Sequence, residues 1–195
     1  MNEYPSGGIQ EKYWTYKPGL IPSFVFKPLL EIITEYCSTG ESNKRISCVF
    51  SNIHKYQRNN NYGKIPHYEW SDAPSILYEL CNMVEDYTKE KYDYVLVHIY
   101  INGKSSIGYH NDSEALNSSI ASVSLGATRK FRFKKITRSG GWDTELELHD
   151  GDLVWMHGPD PLTGRPSCQR EYFHTVPIER KVKEPRINLT FRQYE

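Results

Sequence analysis

Three residues of the chain have the side chains and spacing of a metal site: His110 and Asp112, two positions apart, and the distant His174. Two imidazoles and one carboxylate form the facial ligand set that suits non-haem Fe(II), and this set leaves three coordination positions open. A His-x-Asp pair alone is common by chance, so the prediction depends on accompanying residues. The alternative is that these are surface side chains with no shared role.

The accompanying residues lie in Pro185–Arg192, where polar and apolar side chains alternate, which predicts a β-strand. One face carries the polar residues Arg186, Asn188, Thr190 and Arg192, and the other carries Ile187, Leu189 and Phe191. Buried arginines need anionic partners, since unpaired buried charge is costly. A dicarboxylate such as 2-oxoglutarate fits, with one arginine for each carboxylate. We therefore predict Fe(II), 2-oxoglutarate as cosubstrate and O2.

Several segments resemble the AlkB family of Fe(II)- and 2-oxoglutarate-dependent dioxygenases. In the family's order and spacing they are Val95–Glu114, Ile120–Phe133, His149–Met156, Phe173–Pro177 and Pro185–Gln193, which together span about half the chain. Upstream, YKPGLI (Tyr16–Ile21) resembles the family's opening strand. The string at Val49–Gly63 resembles its nucleotide-recognition lid.

Helical spacing of apolar residues predicts helices at Pro28–Tyr36 and Ala73–Lys89, and five to seven short strands follow from Tyr94. Helices first and strands after indicate an α+β protein with helices packed on one face of a two-sheet sandwich. The resemblance implies a double-stranded β-helix (jelly-roll). We expect one domain over residues 1–195, with the lid at about 45–72 and the catalytic jelly-roll at about 92–195.

The predicted strand Tyr94–Ile101 places Leu96, His98 and Tyr100 on one face. The resemblance implies that this face touches 2-oxoglutarate, with Asn usual where His98 stands. Histidine is larger than asparagine and can carry charge, but it can donate a similar hydrogen bond. The expected cosubstrate-binding residues are His98, Tyr100, Arg186, Asn188, Thr190 and Arg192. Tyr100 could instead be an ordinary core tyrosine.

The resemblance also implies contacts to a nucleic-acid base. Glu114 stands where the family places an acid that contacts the exocyclic amine of a damaged base, which favours cationic bases. The alternative is an exposed glutamate paired with nothing. The lid aromatics Tyr62, Tyr68 and Trp70 could stack on an extruded base.

Two further features suggest contacts to a nucleic-acid strand. Phe50 follows Val49 where repair members place an apolar wedge that fills the gap left by a flipped base, although the pair could equally be a buried strand. Six basic residues between Arg129 and Arg138 could contact phosphates, with Arg129 and Arg138 as candidates. The competing interpretation of this basic hairpin is a solvated strand face.

Composition narrows the class of protein. The chain has 195 residues, a hydrophobic fraction of 38% and a formal net charge of zero, so it is globular and no general polyanion binder. No apolar run is long enough to cross a membrane, and the N-terminus lacks the pattern of a secretory signal. The four cysteines lack C-x-x-C spacing, so we expect reduced thiols. We expect an intracellular monomer (nucleus or cytoplasm) without a membrane partner.

Together, these features predict oxidative demethylation of N-alkylated bases, of the 1-methyladenine or 3-methylcytosine type, in methylated DNA or RNA. The reaction would convert 2-oxoglutarate to succinate and CO2 and release formaldehyde. Two alternatives remain: a protein-side-chain hydroxylase of the same fold, and a catalytically silent nucleic-acid-binding module.

Overall fold

The computed structural model describes residues 2–3, 8–39, 45–52 and 65–195. In chain order, its main elements are β1 (Asn2–Glu3), β2 (Ile9–Gln10), β3 (Trp14–Lys17), α1 (Phe26–Ile33), β4 (Ser38–Thr39), β5 (Ile46–Ser51), β6 (His67–Glu69), α2 (Ser75–Thr88), β7 (Tyr94–Tyr100), β8 (Ile107–His110), β9 (Ile120–Gly126), β10 (Arg129–Lys135), β11 (Thr144–Leu148), β12 (Asp152–Met156), α3 (Cys168–Glu171), β13 (Tyr172–Val176) and β14 (Arg186–Arg192).

The described strands form two sheets. The large sheet has the order β1-β2-β3-β12-β9-β14-β7-β5-β4, and β6 pairs with β5 in parallel. The small sheet has the order β11-β10-β13-β8. In the large sheet β14 lies between β7 and β9 and is antiparallel to both. The predicted C-terminal strand is therefore a central one, with neighbours that hold its register on both sides.

The large sheet has an apolar outer face, which is covered by the helices. Residues of β7 and β14 on this face form one buried cluster with residues of both helices: Leu29, Ile33, Leu77, Leu80, Val84, Val95, Val97, Ile99, Ile187, Leu189 and Phe191. The alternation of side chains then turns the polar residues of β7 and β14 to the inner face, towards the small sheet. This arrangement confirms the predicted α+β jelly-roll with helices on one sheet.

Both helices agree with the predicted segments to within three residues at each end. Helix α2 buries Leu77, Leu80, Val84 and Thr88 at helical spacing. It ends at Lys89, whose positive φ of 61° is the left-handed conformation common just after a helix. No helix among the described residues is long and apolar enough to span a membrane.

The predicted opening strand at Tyr16–Ile21 is wrong beyond Lys17, since only its first two residues belong to a strand. Strand β3 ends at Lys17, and the chain then turns at Gly19, which has a φ of +58°. The Gly19 N–H donates to Asp152 Oδ1 at 2.9 Å, and the Tyr16 hydroxyl donates to Asp152 Oδ2 at 2.7 Å. Asp152 thus holds this turn against β12.

Part of the predicted lid segment belongs to the large sheet. Strand β5 pairs with β7, with Ser47 opposite His98 and Phe50 opposite Val95. Residues 53–64, and with them Tyr62, lie outside the described residues.

The predicted base contact of Phe50 is wrong, because its side chain is buried on the helix side of the sheet. Tyr68 and Trp70 are half-buried and pack on the same cluster, and their base contacts stay predictions. Phe50 is fully buried, and Tyr68 stacks on it with ring centroids 5.4 Å apart. The Tyr68 hydroxyl donates to the Tyr36 carbonyl at 3.0 Å. Trp70 contacts Tyr78 of α2. The alternative interpretation of Val49-Phe50 as a buried strand pair is therefore the correct one.

We predict that Phe50→Ala lowers the free energy of unfolding by about 3–5 kcal/mol, because it opens a cavity between the sheet and the helices. Chemical denaturation measures the change. The matched control is Phe24→Ala, whose side chain is 77% exposed and whose loss should change stability by less than about 0.5 kcal/mol. Unchanged stability in Phe50→Ala would contradict its core position.

Candidate metal centre

The small sheet brings the two histidines together. His110 ends β8 and pairs directly with His174 on β13, so that their ring centroids are 4.2 Å apart. The His110 Nδ1 donates to the Gly108 carbonyl at 2.9 Å, which leaves Nε2 as the available ligand atom. The ring of His174 stacks on Phe131 of β10. Strand pairing and packing therefore orient both imidazoles.

Asp112 reaches the histidines because the chain turns directly after β8, in a short 3-10 turn at Ser113–Ala115. Asp112 Oδ1 lies 3.8 Å from His110 Nε2, and its Oδ2 lies 3.5 Å from His174 Nε2. The ligand atoms of the three residues all lie within 4.8 Å of one another. The predicted triad is thus assembled in the structure.

The donor set fits an Fe(II) ion. Two imidazole nitrogens and one carboxylate oxygen form the ligand set of non-haem Fe(II) oxygenases. A metal ligand must be a neutral imidazole, and burial lowers the pKa of His174 to about 3, against the opposing effect of Asp112. His110, Asp112 and His174 would hold the ion, and the open positions would take the cosubstrate and O2.

Arg192 of the large sheet pairs with the buried carboxylate of Asp112. Its Nη2 lies 2.9 Å from Asp112 Oδ1, and its Nη1 donates to Glu114. Burial by itself would raise the pKa of Asp112, but Arg192 and the neighbouring histidines outweigh this effect and lower that pKa to about 2. Arg192 therefore links two carboxylates across the sheets and keeps Asp112 ionised.

Five of the six residues predicted to bind 2-oxoglutarate meet at one cavity of about 30 Å³ beside the triad. Those that line it are His98, Tyr100, Asn188, Thr190 and Arg192. Arg186 is fully buried against the Tyr100 ring, and its Nη2 donates to Ser124 Oγ at 2.7 Å. Its Nε and Nη1 have no hydrogen-bond partner among the described residues, as expected of a guanidinium that binds an anionic ligand.

His98 has a partner that the sequence did not suggest. Its Nδ1 lies 2.7 Å from Ser47 Oγ of the neighbouring strand β5. Burial lowers the pKa of His98 well below its usual range, and the charges of Arg45 and Arg192 lower it further. His98 is thus a neutral imidazole held by Ser47, and it can replace the usual asparagine as a neutral hydrogen-bonding group.

A second, larger cavity of about 290 Å³ adjoins the first at His110 and Asp112, and we call the first the inner cavity and the second the outer cavity. It shares Arg45, His98, Ile107, His110, Asp112 and Arg192 with the first cavity, and its further lining residues are Leu96, Gly108 and Tyr109. An ion held by the triad would therefore be in contact with both cavities. This is the arrangement that a reaction between a bound cosubstrate and a separate substrate requires.

The structure places Glu114 beside the metal centre and excludes the alternative of an exposed, unpaired acid. Its side chain is 10% exposed and pairs with Arg192. Its role in reading a base stays a prediction.

The predicted phosphate contact of Arg129 is wrong. Arg129 is 1% exposed, and it binds Glu179 and the carbonyls of Asn102, Ser105 and Pro177. Its position on β10 explains this burial, because Arg129 shares a face with Phe131 and Phe133.

The remaining basic residues of the hairpin have acidic neighbours. Lys130 and Arg132 both pair with Glu145, which supports the interpretation of a solvated strand face at these two positions. Arg138 is exposed and pairs with Asp143 at 3.0 Å. Its phosphate contact stays a prediction.

Sequence reasoning missed three residues of the site: Arg45, Ser47 and Gln169. Gln169 is 1% exposed, and its Oε1 accepts the Asp112 backbone N–H at 2.9 Å. No local pattern marks Gln169, because its contact depends on how the preceding loop folds back. Arg45 and Ser47 are two positions apart, with the apolar Ile46 between them. This spacing weakly predicts that both side chains lie on the same face of a strand.

Comparison with known proteins gives a family. The model of the 2OG-Fe(II) oxygenase superfamily matches residues 31–192, a span that includes the triad and β14. The solved structure of OsALKBH1 superposes with a TM-score of 0.67 and covers 96% of this chain and 100% of that chain. At 16% sequence identity this likeness shows the fold alone.

Curated relatives confirm the resemblance to the AlkB family. DNA oxidative demethylase ALKBH2 is 34% identical over 127 residues in Bos taurus and 33% in Homo sapiens. Alpha-ketoglutarate-dependent dioxygenase alkB homolog 3 of Bos taurus is 35% identical over 127 residues. Each alignment covers 60% of this chain, and 43%, 46% and 42% of these relatives. The chain thus matches less than half of their length.

We predict that wild-type protein binds one Fe(II) or Mn(II) under anaerobic conditions, and that His174→Ala weakens this affinity more than about 100-fold. The expected loss exceeds the 10- to 100-fold typical of residues that only support ligands. Calorimetry measures affinity, and the metal should raise the unfolding temperature of wild type but not of His174→Ala. The control is His149→Ala, an exposed histidine outside the triad. Equal affinity in wild type and His174→Ala would refute the assignment.

Proposed function

Because the chain belongs to the 2OG-Fe(II) oxygenase superfamily, we propose that it oxidatively demethylates N-alkylated bases in DNA or RNA. The cofactors of this family are Fe(II), 2-oxoglutarate and O2. When bound, they supply the oxidation: 2-oxoglutarate becomes succinate and CO2, and the N-methyl group becomes N-hydroxymethyl. That group then leaves as formaldehyde, and the base is restored.

The contact of His110 and Asp112 with both cavities carries the proposal. The inner cavity is lined by the residues expected to hold 2-oxoglutarate. The outer cavity of about 290 Å³ leaves room beside His110 for a planar group, and Tyr109 and Leu96 lie on its wall. The relative named DNA oxidative demethylase supports a nucleic-acid base as that group.

The negative charge of Glu114 near the outer cavity supports a positively charged base as the substrate. Glu114 is joined to the triad through Arg192, which places a second carboxylate close to the ion site. A base methylated at a ring nitrogen, such as 1-methyladenine or 3-methylcytosine, carries a positive charge that this carboxylate would favour. Glu114 thereby gives the site a preference for damaged over normal bases.

Succinate formation tests the proposal. Iron-loaded protein is supplied with 2-oxoglutarate and matched methylated or unmethylated oligonucleotides, as single- and double-stranded DNA and as RNA, at one salt concentration. We expect methylated strands to stimulate succinate formation and to lose 14 mass units (about one CH2) per event by mass spectrometry. Succinate without stimulation by any strand would instead support a protein hydroxylase. Absence of succinate would support a silent binding module.

We predict that Glu114→Gln reduces the preference for cationic over neutral methylated bases by about tenfold, since it removes one charge-assisted contact. The amide oxygen can still accept from Arg192, so 2-oxoglutarate decarboxylation without substrate should be nearly unchanged. Glu114→Ala removes both the charge that favours cationic bases and the acceptor for Arg192. It should therefore lower both demethylation and 2-oxoglutarate decarboxylation without substrate. If Glu114→Gln lowers the two reactions equally, Glu114 supports the metal centre and does not read the base.

A further inference from the structure

Strand β5 extends the inner face of the large sheet beyond the residues expected to bind 2-oxoglutarate. Its pairing with β7 sets Ser47 opposite His98 and Ile46 opposite Ile99, so Arg45 comes next to Tyr100. On the other side of β7, Tyr100 is opposite Arg186. Tyr100 therefore has one arginine on each neighbouring strand.

The guanidinium of Arg45 is placed to receive an anion. It lies 5.9 Å from the centroid of the Tyr100 ring and lines both cavities of the metal centre. Its Nη1 is buried and has no hydrogen-bond partner in the part of the chain that the structure describes. Buried N–H groups are nearly always paired, so this atom indicates a ligand.

The nearby arginines differ in what they already bind. Arg192 pairs with Asp112 and Glu114, and Arg129 pairs with Glu179 and three carbonyls. Arg186 lies against the Tyr100 ring and donates from its Nη2 to Ser124. Among the described residues, no carboxylate pairs with Arg45 or Arg186, and each of these two arginines has a buried nitrogen without a hydrogen-bond partner. They lie on opposite sides of Tyr100.

The positions of Arg45, Arg186 and Arg192 along the strands indicate which anion Arg45 binds. Arg192, at one end of β14, contacts the metal ligand Asp112, whereas Arg186 lies six residues away, about 20 Å along the strand. Arg45, Tyr100 and Arg186 thus form the end of the site remote from the ion. The Tyr100 side chain is 1% exposed, which suits a carboxylate on a short chain better than the phosphate of a polynucleotide.

We propose that Arg45 binds the distal carboxylate of 2-oxoglutarate together with Tyr100 and Arg186. Arg45 then selects dicarboxylic over monocarboxylic 2-oxo acids. A carboxylate accepts up to about four hydrogen bonds, so two guanidiniums and one phenol can share it. This proposal requires the 2-oxoglutarate dependence of the family and does not require a nucleic-acid substrate.

A comparison of two ligands tests it without turnover. Mn(II)-loaded wild type and Arg45→Met are titrated by calorimetry with 2-oxoglutarate and with 2-oxopentanoate, which lacks the distal carboxylate. We expect Arg45→Met to weaken 2-oxoglutarate binding about 10- to 100-fold, the effect of one charge-assisted hydrogen bond. Its affinity for 2-oxopentanoate should stay within about twofold of wild type, since neither protein has a distal carboxylate to bind there.

Two variants serve as controls. Arg180→Met removes an exposed arginine far from the cavities and should leave both affinities unchanged. Arg45→Lys keeps the charge and should recover part of the 2-oxoglutarate affinity. Recovery would separate a direct contact from a general disturbance of β5.

Three outcomes would overturn the proposal. Equal weakening of both acids in Arg45→Met would assign Arg45 a structural role. Unchanged 2-oxoglutarate binding with weaker binding of a methylated oligonucleotide would assign it to a substrate phosphate. Unchanged binding of all three ligands would leave Arg45 outside the site, although the metal centre and the demethylase proposal would stand.

Discussion

The buried charge of Asp112 is the constraint on which the site depends. Its side chain is 3% exposed, and a carboxylate at such a depth is stable only with opposite charge and hydrogen bonds around it. Arg192 supplies the charge from the large sheet, and Gln169 supports the backbone of Asp112 from the chain before β13. The bound metal ion would supply the rest. The chain thus brings three distant segments together around one carboxylate.

The two sheets contribute different residues to this centre. The small sheet orients the histidines through the pairing of His110 with His174, whereas the large sheet presents the guanidiniums. The helices make this possible, because they cover the apolar side of β7 and β14 and leave the polar side facing inwards. A shift of one sheet against the other would move ligands and counter-charges apart. The buried cluster between the sheets, which joins Tyr100 and Met156 of the large sheet to Phe131 and Phe133 of the small sheet, therefore also protects the geometry of the metal centre.

Strictly alternating segments were the predictable part of this protein. The faces of β7 and β14 and the triad follow from residue type and spacing, because a period of two assigns each side chain to a face. The side-chain orientation in strand β5 could not be predicted, because three consecutive apolar residues, Cys48, Val49 and Phe50, do not show which side chains face the core. The alternation of Arg129 with Phe131 and Phe133 predicts that Arg129 is buried. The basic residues around it led instead to the prediction of an exposed, phosphate-contacting side chain. The contacts of Arg45, Ser47 and Gln169 arise only when distant segments meet.

The central place of β14 has a consequence for synthesis in the cell. Its neighbours β7 and β9 are both made earlier, and Arg186, the start of β14, is the sixtieth residue after Gly126, the end of β9. At about 5–20 residues per second, a ribosome needs about 3–12 s to extend the chain that far. Throughout this interval the two strands have unpaired edges towards the missing strand, and such edges can pair with other chains. The yield of folded protein should therefore depend on chaperones that shield the nascent chain until β14 emerges.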